Sequence, residues 1–174
     1  MPRTVRRLRR MLSRMGEEVQ TLSDAGLAAK VIGWALVLPA MKHAVPVRSL
    51  ALVMHQRPRA AVRDANRERQ IITFARWAAR ITRWKSGGNC LERGLIAYRY
   101  LCAAGARPTL VVGIGRSDGG VTGHAWVLVD GQLVGEPTTA IEAYTPLFAF
   151  DPDGRLDAES PGSVQKVPAS ASAR

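Results

Sequence analysis

The sequence has few cysteines and histidines, and this scarcity excludes several kinds of protein. Among 174 residues there are two cysteines and three histidines, and their scattered positions match no zinc-binding spacing, so no metal site is expected. Cys90 and Cys102 are twelve residues apart on one predicted helix about 18 Å long, which is too far for a disulfide between them. We therefore expect a reducing, cytoplasmic compartment.

Long apolar runs and nucleotide-binding loops are also missing. The uncharged run at residues 31–41 lies between Lys30 and Lys42 and is shorter than the roughly 18–20 residues that a bilayer requires. It predicts a buried helix that Pro39 ends or kinks. The glycine-rich segment at residues 113–120 lacks the following helix and Lys-Ser/Thr pair of a phosphate-binding loop. No bound cofactor is expected, and the sequence leaves open whether the reaction depends on ATP.

Acidic residues are outnumbered, which leaves a net charge of +11. Such an excess favours nucleic acid, an anionic membrane or an acidic peptide as a partner, although an arginine-rich composition from a GC-rich genome explains it equally well. The chain lacks the basic and aromatic motifs of nucleic-acid-binding modules, so no nucleic-acid partner is expected. Residues 1–20 combine an apolar stripe with many arginines and are typical of a basic amphipathic helix. Contact of residues 3–14 with a membrane surface is an alternative rather than the main expectation for this segment.

Hydrophobic periodicity divides the chain into four parts. These are a basic N-terminal extension at 1–24, a helical part at 25–84, a catalytic core at 85–150 and a disordered, Pro/Ser/Gly-rich tail at 151–174. Within them, residues 43–70 begin as a linker, residues 60–84 read as one helix, and strands are predicted at 108–115, 122–129, 132–136 and 148–150. The expected fold class is α+β, with helices packed on a small antiparallel sheet.

The most informative stretch is residues 87–105, which opens on two glycines and an N-capping Asn89. Cys90 then falls in the first turn of a helix that Gly105 ends. Free backbone N–H groups and the helix dipole favour the thiolate form at this position, as a nucleophile requires. The alternative is that Cys90 is a small buried residue at a helix start.

His124 changes the balance between these interpretations. A lone histidine in an apolar strand would ordinarily be a core residue. A thiol at a helix start, a strand histidine and a carboxylate on the next strand are together the parts of a Cys–His–acid triad. The backbone N–H of Cys90 is a candidate oxyanion donor, and Asn89 and Trp126 are further candidates for contact with the substrate or oxyanion.

Two carboxylates compete for the third position, and the hairpin register decides between them. A two-residue loop at Asp130-Gly131 would place Glu136 opposite Ala125 and facing away from His124. A three-residue loop that includes Val129 would place Glu136 directly across from His124. Asp130 lies about 20 Å along the strand from His124 and is too far to reach it. We therefore predict Glu136 and the three-residue loop, against the known preference of Asp-Gly for two-residue turns.

These residues resemble a known family. The sequences CLERGLIAYRYLCAAGARPTLVVGIG and GHAWVLVDGQLVGEP are similar to the transglutaminase-like cysteine peptidases of lasso-peptide biosynthesis, the microcin-processing leader peptidases. The matching positions are Cys90, Leu91, Arg93, Gly105, Gly113, His124, Ala125, Trp126, Asp130, Gly131 and Glu136. The similarity covers residues 85–150, and the family usually has Asp where this chain has Glu136.

The resemblance implies a transglutaminase-like or papain-like core and removal of the leader from a ribosomally made precursor peptide. It also implies a leader-recognition protein and an ATP-dependent lasso cyclase as partners. Residues 1–84 lack the strands of a fused recognition domain, so a separate recognition protein is expected. Two alternatives remain: transglutaminase or amidase chemistry through the same thioester, and a non-enzymatic basic protein that binds membrane or nucleic acid.

Overall fold

The computed structural model describes residues 22–58, 62–82, 89–117 and 120–157. Within these ranges, four helices pack on a five-stranded antiparallel sheet, which confirms the α+β prediction. The elements are α1 (Leu22–Ala44), α2 (Val47–Met54), α3 (Ala65–Thr82), α4 (Cys90–Ala103), β1 (Pro108–Ser117), β2 (Gly120–Val129), β3 (Gln132–Val134), a 3-10 turn (Thr138–Ala140), β4 (Tyr144–Phe150) and β5 (Leu156–Asp157). The predictions for the basic segment at residues 1–20 and for residues 158–174 lie outside the described residues.

The sheet is built around β1, and its strand order is β3-β2-β1-β4-β5. Because side chains alternate along a strand, the two faces of the sheet carry different apolar clusters. Leu110, Val127 and Phe150 belong to the main core together with the helices. Val111, Trp126 and Leu128 form a smaller cluster on the opposite face. β1 pairs with β2 along its whole length, and Gly113 lies directly across from His124.

Helix α4 lies at the centre of the molecule and carries Cys90 at its first position. Nine of its 14 residues are buried, so most of the helix surface is covered by the sheet and the other helices. Gly94 permits a close approach to the sheet, since a Cβ there would lie 3.0 Å from Leu110 Cδ1 and 3.8 Å from the Cβ of Ala125. This packing brings the N-terminal end of α4 to strand β2.

Helix α1 is longer than the sequence pattern predicts. Pro39 lies inside the helix, which continues to Ala44, so Pro39 does not end it. The alternative, a kink at Pro39, stays a prediction. An interior proline costs one backbone hydrogen bond, and the fully buried Leu38 packs at this point of the helix. Among the described residues, Ser23–Ala44 is the one helix long and apolar enough to cross a membrane by length and composition alone, a test that core helices and signal sequences also pass.

A buried ion pair joins α1 to α4. The Lys42 ammonium lies 2.7 Å from the carboxylate of Glu92, whose side chain is only 2% exposed. Glu92 also occupies the first turn of α4, where the helix dipole favours negative charge. The pair holds the end of α1 against the turn that contains Cys90.

Replacing Lys42 with methionine should destabilise the protein by about 3 kcal/mol, because it leaves the carboxylate of Glu92 buried without its partner. Denaturant unfolding measures the change. The exposed Lys30→Met variant is the matched control and should change stability by less than about 0.5 kcal/mol. Equal stability of the two variants would mean that the ion pair contributes nothing. Adding Glu92→Gln to Lys42→Met should restore part of the loss.

Two other segments differ from the sequence predictions. The expected linker after residue 43 contains α2, and α3 begins at Ala65 rather than at residue 60. The expected disordered tail starts at Asp151, whereas residues 151–157 form a turn and strand β5, which pairs with β4. The Asp151 side chain accepts backbone N–H bonds from Asp153 and Arg155, at 2.9 and 2.8 Å. The buried Tyr98 hydroxyl donates to the Asp151 carbonyl at 2.6 Å, so this turn is fixed to α4.

Candidate active site

The β2–β3 hairpin has a two-residue loop. Val129 pairs with Gln132, and the loop residues Asp130 and Gly131 have φ of 52° and 76°. Two left-handed residues make the type I′ turn that Asp-Gly sequences prefer. The predicted three-residue loop is therefore wrong. The turn preference of Asp-Gly determines the loop length, and the position of Glu136 does not.

Glu136 nevertheless reaches His124, because the chain leaves the sheet before it. Strand β3 ends at Val134, and Gly135 has a φ of 82°, which redirects the backbone. The Glu136 carboxylate Oε2 then lies 2.9 Å from His124 Nε2. A Cβ on Gly135 would meet Ile72 Cγ2 at 3.0 Å, so both the backbone conformation and the close approach to α3 require glycine.

The competing carboxylate, Asp130, lies at the tip of the hairpin. Its Oδ2 is 2.6 Å from Arg63 Nη1 in an exposed ion pair. Arg63 also bonds Glu68. Asp130 therefore pairs with Arg63 and does not contact His124, as its distance along the strand predicts.

Cys90 occupies the edge of β2 that the short β3 leaves open. In this hairpin the backbone groups of residues 123, 125, 127 and 129 all face the β3 side, because alternate residues bond to the same neighbour. Beyond the end of β3, the Cys90 Sγ lies 3.9 Å from the Gly123 carbonyl oxygen and interacts with the backbone N–H of Ala125. The thiol thus lies where a longer β3 would continue the ladder.

The surroundings of Cys90 favour its thiolate. Burial is the largest influence and by itself raises the pKa. Hydrogen bonding to His124, the backbone N–H groups of Ala125 and Leu91, and the charge of His124 together outweigh it. The pKa of Cys90 is therefore lowered, as expected of a nucleophile at neutral pH.

His124 is held between its polar partners and two aromatic rings. Its interaction with Cys90, followed by that with Glu136, raises its pKa to about 9 despite partial burial. Because Nε2 bonds Glu136, the ring presents Nδ1 for proton exchange with the thiol. The ring stacks on Tyr144 and Trp126, with centroid separations of 4.9 and 6.1 Å, which fixes its plane.

Arg93 provides a further partner for the acid. Its Nη2 donates to Glu136 Oε1 at 2.9 Å, so the two carboxylate oxygens are divided between Arg93 and His124. Burial alone would raise the pKa of Glu136, but the bond to His124 and the charge of Arg93 lower it. The carboxylate therefore stays ionised beside the imidazole. The motif Cys-Leu-x-Arg singled out Arg93, but nothing in the sequence pairs it with Glu136.

Glu136→Gln should lower kcat/KM about 100-fold, because the neutral amide no longer stabilises the imidazolium. Since Glu136 helps to raise the His124 pKa, the alkaline limb of the pH–rate profile should move from about 9 toward lower pH. Asp130→Asn is the matched control and should leave both rate and profile unchanged. If Asp130→Asn had the larger effect, the assignment of the third residue would be reversed.

The other predicted site residues lie in supporting positions. The Asn89 side chain makes no capping bond to its own helix, and its Nδ2 donates to the Ala79 carbonyl on α3. Trp126 is 2% exposed and lies beneath His124. Gly113 makes space for it, because a Cβ there would lie 2.8 Å from Trp126 Cη2. Contact of Asn89 or Trp126 with a substrate stays a prediction, as does the oxyanion role of the Cys90 N–H.

Tyr144, Gly135 and the Arg93–Glu136 contact belong to the site but were not predicted from the sequence. Only Gly135 left a signal in the sequence, as a glycine immediately before an acid. Among the described residues, no three His, Cys, Asp or Glu side chains are grouped to hold a metal ion.

Comparison with known proteins identifies a family for the segment that carries these residues. Searches among curated proteins and among solved structures found no significant match. The family model of the transglutaminase-like superfamily matches residues 32–149, well over half of the chain, from within α1 to within β4. The match includes α2, α3 and the segment that carries Cys90, His124 and Glu136. The chain therefore belongs to the transglutaminase-like superfamily, whose fold supports cysteine-peptidase and acyl-transfer chemistry.

Proposed function

We propose that the protein is a cysteine peptidase that removes the leader peptide from a ribosomally synthesised lasso precursor. The observation that carries this proposal is the arrangement of Cys90, His124 and Glu136, in which each partner favours the charged form of the next. The thiolate–imidazolium pair is the form in which a cysteine peptidase attacks an amide. The choice of substrate rests on the sequence resemblance at residues 85–150.

The first half of the reaction forms an acyl-enzyme. The Cys90 thiolate attacks the scissile carbonyl carbon, and the carbonyl oxygen takes up the negative charge of the tetrahedral intermediate. His124 gives its proton to the departing amine as the C–N bond breaks. The products of this half are a thioester between Cys90 and the leader and a core peptide with a free amino terminus.

The second half releases the leader. The neutral His124 takes a proton from a water molecule, which attacks the thioester carbonyl. Collapse of the second intermediate breaks the C–S bond and releases the leader acid, which gives its proton to solvent. Cys90 leaves as the thiolate and His124 keeps the proton that it took from water, so the ion pair is restored. Glu136 keeps the imidazole oriented through both steps, and Arg93 keeps Glu136 in place.

The proposal implies partners. A separate leader-recognition protein would present the precursor, as the sequence resemblance at residues 85–150 implies. An ATP-dependent cyclase would then close the ring on the freed amino terminus. We propose a cytoplasmic site of action, no nucleic-acid partner and no cofactor in the cleavage site itself.

The experiment combines purified protein with the precursor and recognition protein encoded beside its gene. Mass spectrometry should find a leader whose new carboxylate carries one added water, together with the intact core peptide. If a precursor from such a neighbourhood remains uncut in the presence of its recognition protein, the proposal fails. Adding a primary amine separates the two chemistries, because a leader amide in place of the acid would identify amine transfer.

A further inference from the structure

The outward face of α1 has an unusual composition for a helix exposed to water. Its exposed positions form one stripe opposite the buried residues Leu27, Val31 and Leu38. Leu36 and Val37, which are 57% and 49% exposed, lie on this stripe. The stripe carries one charge, on the exposed Lys30 beside Gly33 and Val37, and its other central residues are uncharged; these are Gly26, Ala29, Gly33, Leu36, Val37 and Ala40. We call them the α1 outer face.

The surrounding chain has positive charges and no negative ones. Between Asp24 and Asp64 the sequence contains no Asp or Glu, while Lys30, Arg48 and Arg57 are exposed cations in this stretch. Asp24 itself is buried and pairs with Arg67 at 2.6 Å. Helix α2 exposes Leu52 and Val53 as a second apolar pair. Uncharged apolar side chains flanked by cations alone are the pattern of a helix that lies in an anionic membrane interface.

We propose that the α1 outer face docks on the surface of an anionic lipid bilayer, with the helix parallel to the membrane plane. A spanning orientation would tear Leu27, Val31 and Leu38 out of the protein core and break the Lys42–Glu92 pair. A surface orientation leaves these contacts intact and removes only the outer face from water.

Charge also favours an anionic bilayer over a second copy of the chain as the partner of this face. A second copy of the chain would bring together two surfaces on which the exposed charges of α1 and α2 are cations, and like charges oppose that contact. An anionic bilayer offers continuous negative charge with an apolar layer beneath it, which matches both components of the surface. The inference is independent of the chemistry at Cys90 and holds whether or not leader cleavage is the function.

The test measures sedimentation of the full-length protein with vesicles. Vesicles contain equal parts of phosphatidylglycerol and phosphatidylcholine, or phosphatidylcholine alone, at low and at high salt. The wild type should partition onto the anionic vesicles at low salt and less at high salt. The double variant Leu36→Glu/Val37→Glu should partition at least about tenfold more weakly, because it loses two apolar anchors and adds two repelled charges.

The matched control is Val121→Glu/Leu147→Glu, which adds the same charge at positions that are 77% and 43% exposed on strands β2 and β4. Its partitioning should stay within about threefold of the wild type. Circular dichroism and the melting temperature verify that both variants fold.

Three results would overturn the proposal. The first is a wild type that does not partition onto anionic vesicles but binds poly-glutamate, with binding lost in Leu36→Glu/Val37→Glu. This result would assign the face to an acidic protein. The second is equal weakening by the variant and the control, which would place lipid binding elsewhere on the chain. The third is a self-association that Leu36→Glu/Val37→Glu abolishes, which would assign the face to a second copy.

Discussion

Replacing Cys90 with alanine is expected to lower the rate of leader cleavage by at least about 10⁴-fold, because no other group can form the thioester. Cys102→Ala is the natural control. That thiol is 2% exposed and contacts the Pro152 carbonyl, and burial raises its pKa to about 12. We expect Cys102→Ala to keep the wild-type rate to within about threefold.

Alkylation gives an independent readout of the same difference. Iodoacetamide near neutral pH should label Cys90 in the wild type and leave Cys102 unmodified in the folded protein, because only the lowered thiol pKa supplies thiolate. Mass spectrometry of the digested protein locates the label. Undiminished cleavage by Cys90→Ala, or preferential labelling of Cys102, would remove the basis for a peptidase.

Replacing His124 with alanine is expected to reduce cleavage by about 10³-fold or more, since the leaving amine and the attacking water both lose their proton partner. The same change should raise the pKa of Cys90, because the bond to His124 and its charge lower that pKa in the wild type. The rate of iodoacetamide labelling at neutral pH should therefore fall. His43→Ala, at an exposed position on α1, is the control and should change neither measurement.

The pH profile separates a proton-transfer role of His124 from a structural one. In the wild type, kcat/KM should rise as Cys90 ionises and fall near pH 9, where His124 loses its proton. The alkaline limb should be absent from the residual activity of His124→Ala, and the acid limb should move to higher pH. An unchanged profile in His124→Ala would mean that another group exchanges protons with the substrate.

The sequence predicts the two strongest elements of the site because each depends on local physics. A helix start identifies Cys90, and an otherwise apolar strand makes the polar His124 stand out. The choice of Glu136 agrees with the structure, but the reason behind it does not. In a regular hairpin, the two-residue loop would turn the Glu136 side chain away from His124, but the turn at Gly135 brings it back. Side-chain alternation predicts orientation only within the paired strands, and Glu136 lies beyond the end of β3.

Contacts between distant segments account for the remaining differences. Arg93 and Glu136 are 43 residues apart, and nothing in either local sequence links them. The order of residues 151–157 likewise depends on Tyr98 of α4, although their composition is typical of a disordered tail. The continuation of α1 past Pro39 depends on packing against the core. In each case the structure depends on a contact between distant segments that local sequence preferences do not contain.

The shortness of β3 has a consequence for solubility. Strands β3 and β5 form the two edges of the sheet and contain three and two residues. Long, unpaired edge strands are templates on which other chains assemble into aggregates. An early end to β3 leaves the edge of β2 before Val127 without a neighbouring strand. The start of α4 covers part of that edge, because the Cys90 Sγ lies against the Gly123 carbonyl and the Ala125 N–H. The nucleophile thus also occupies a position at which a second chain could add to the sheet.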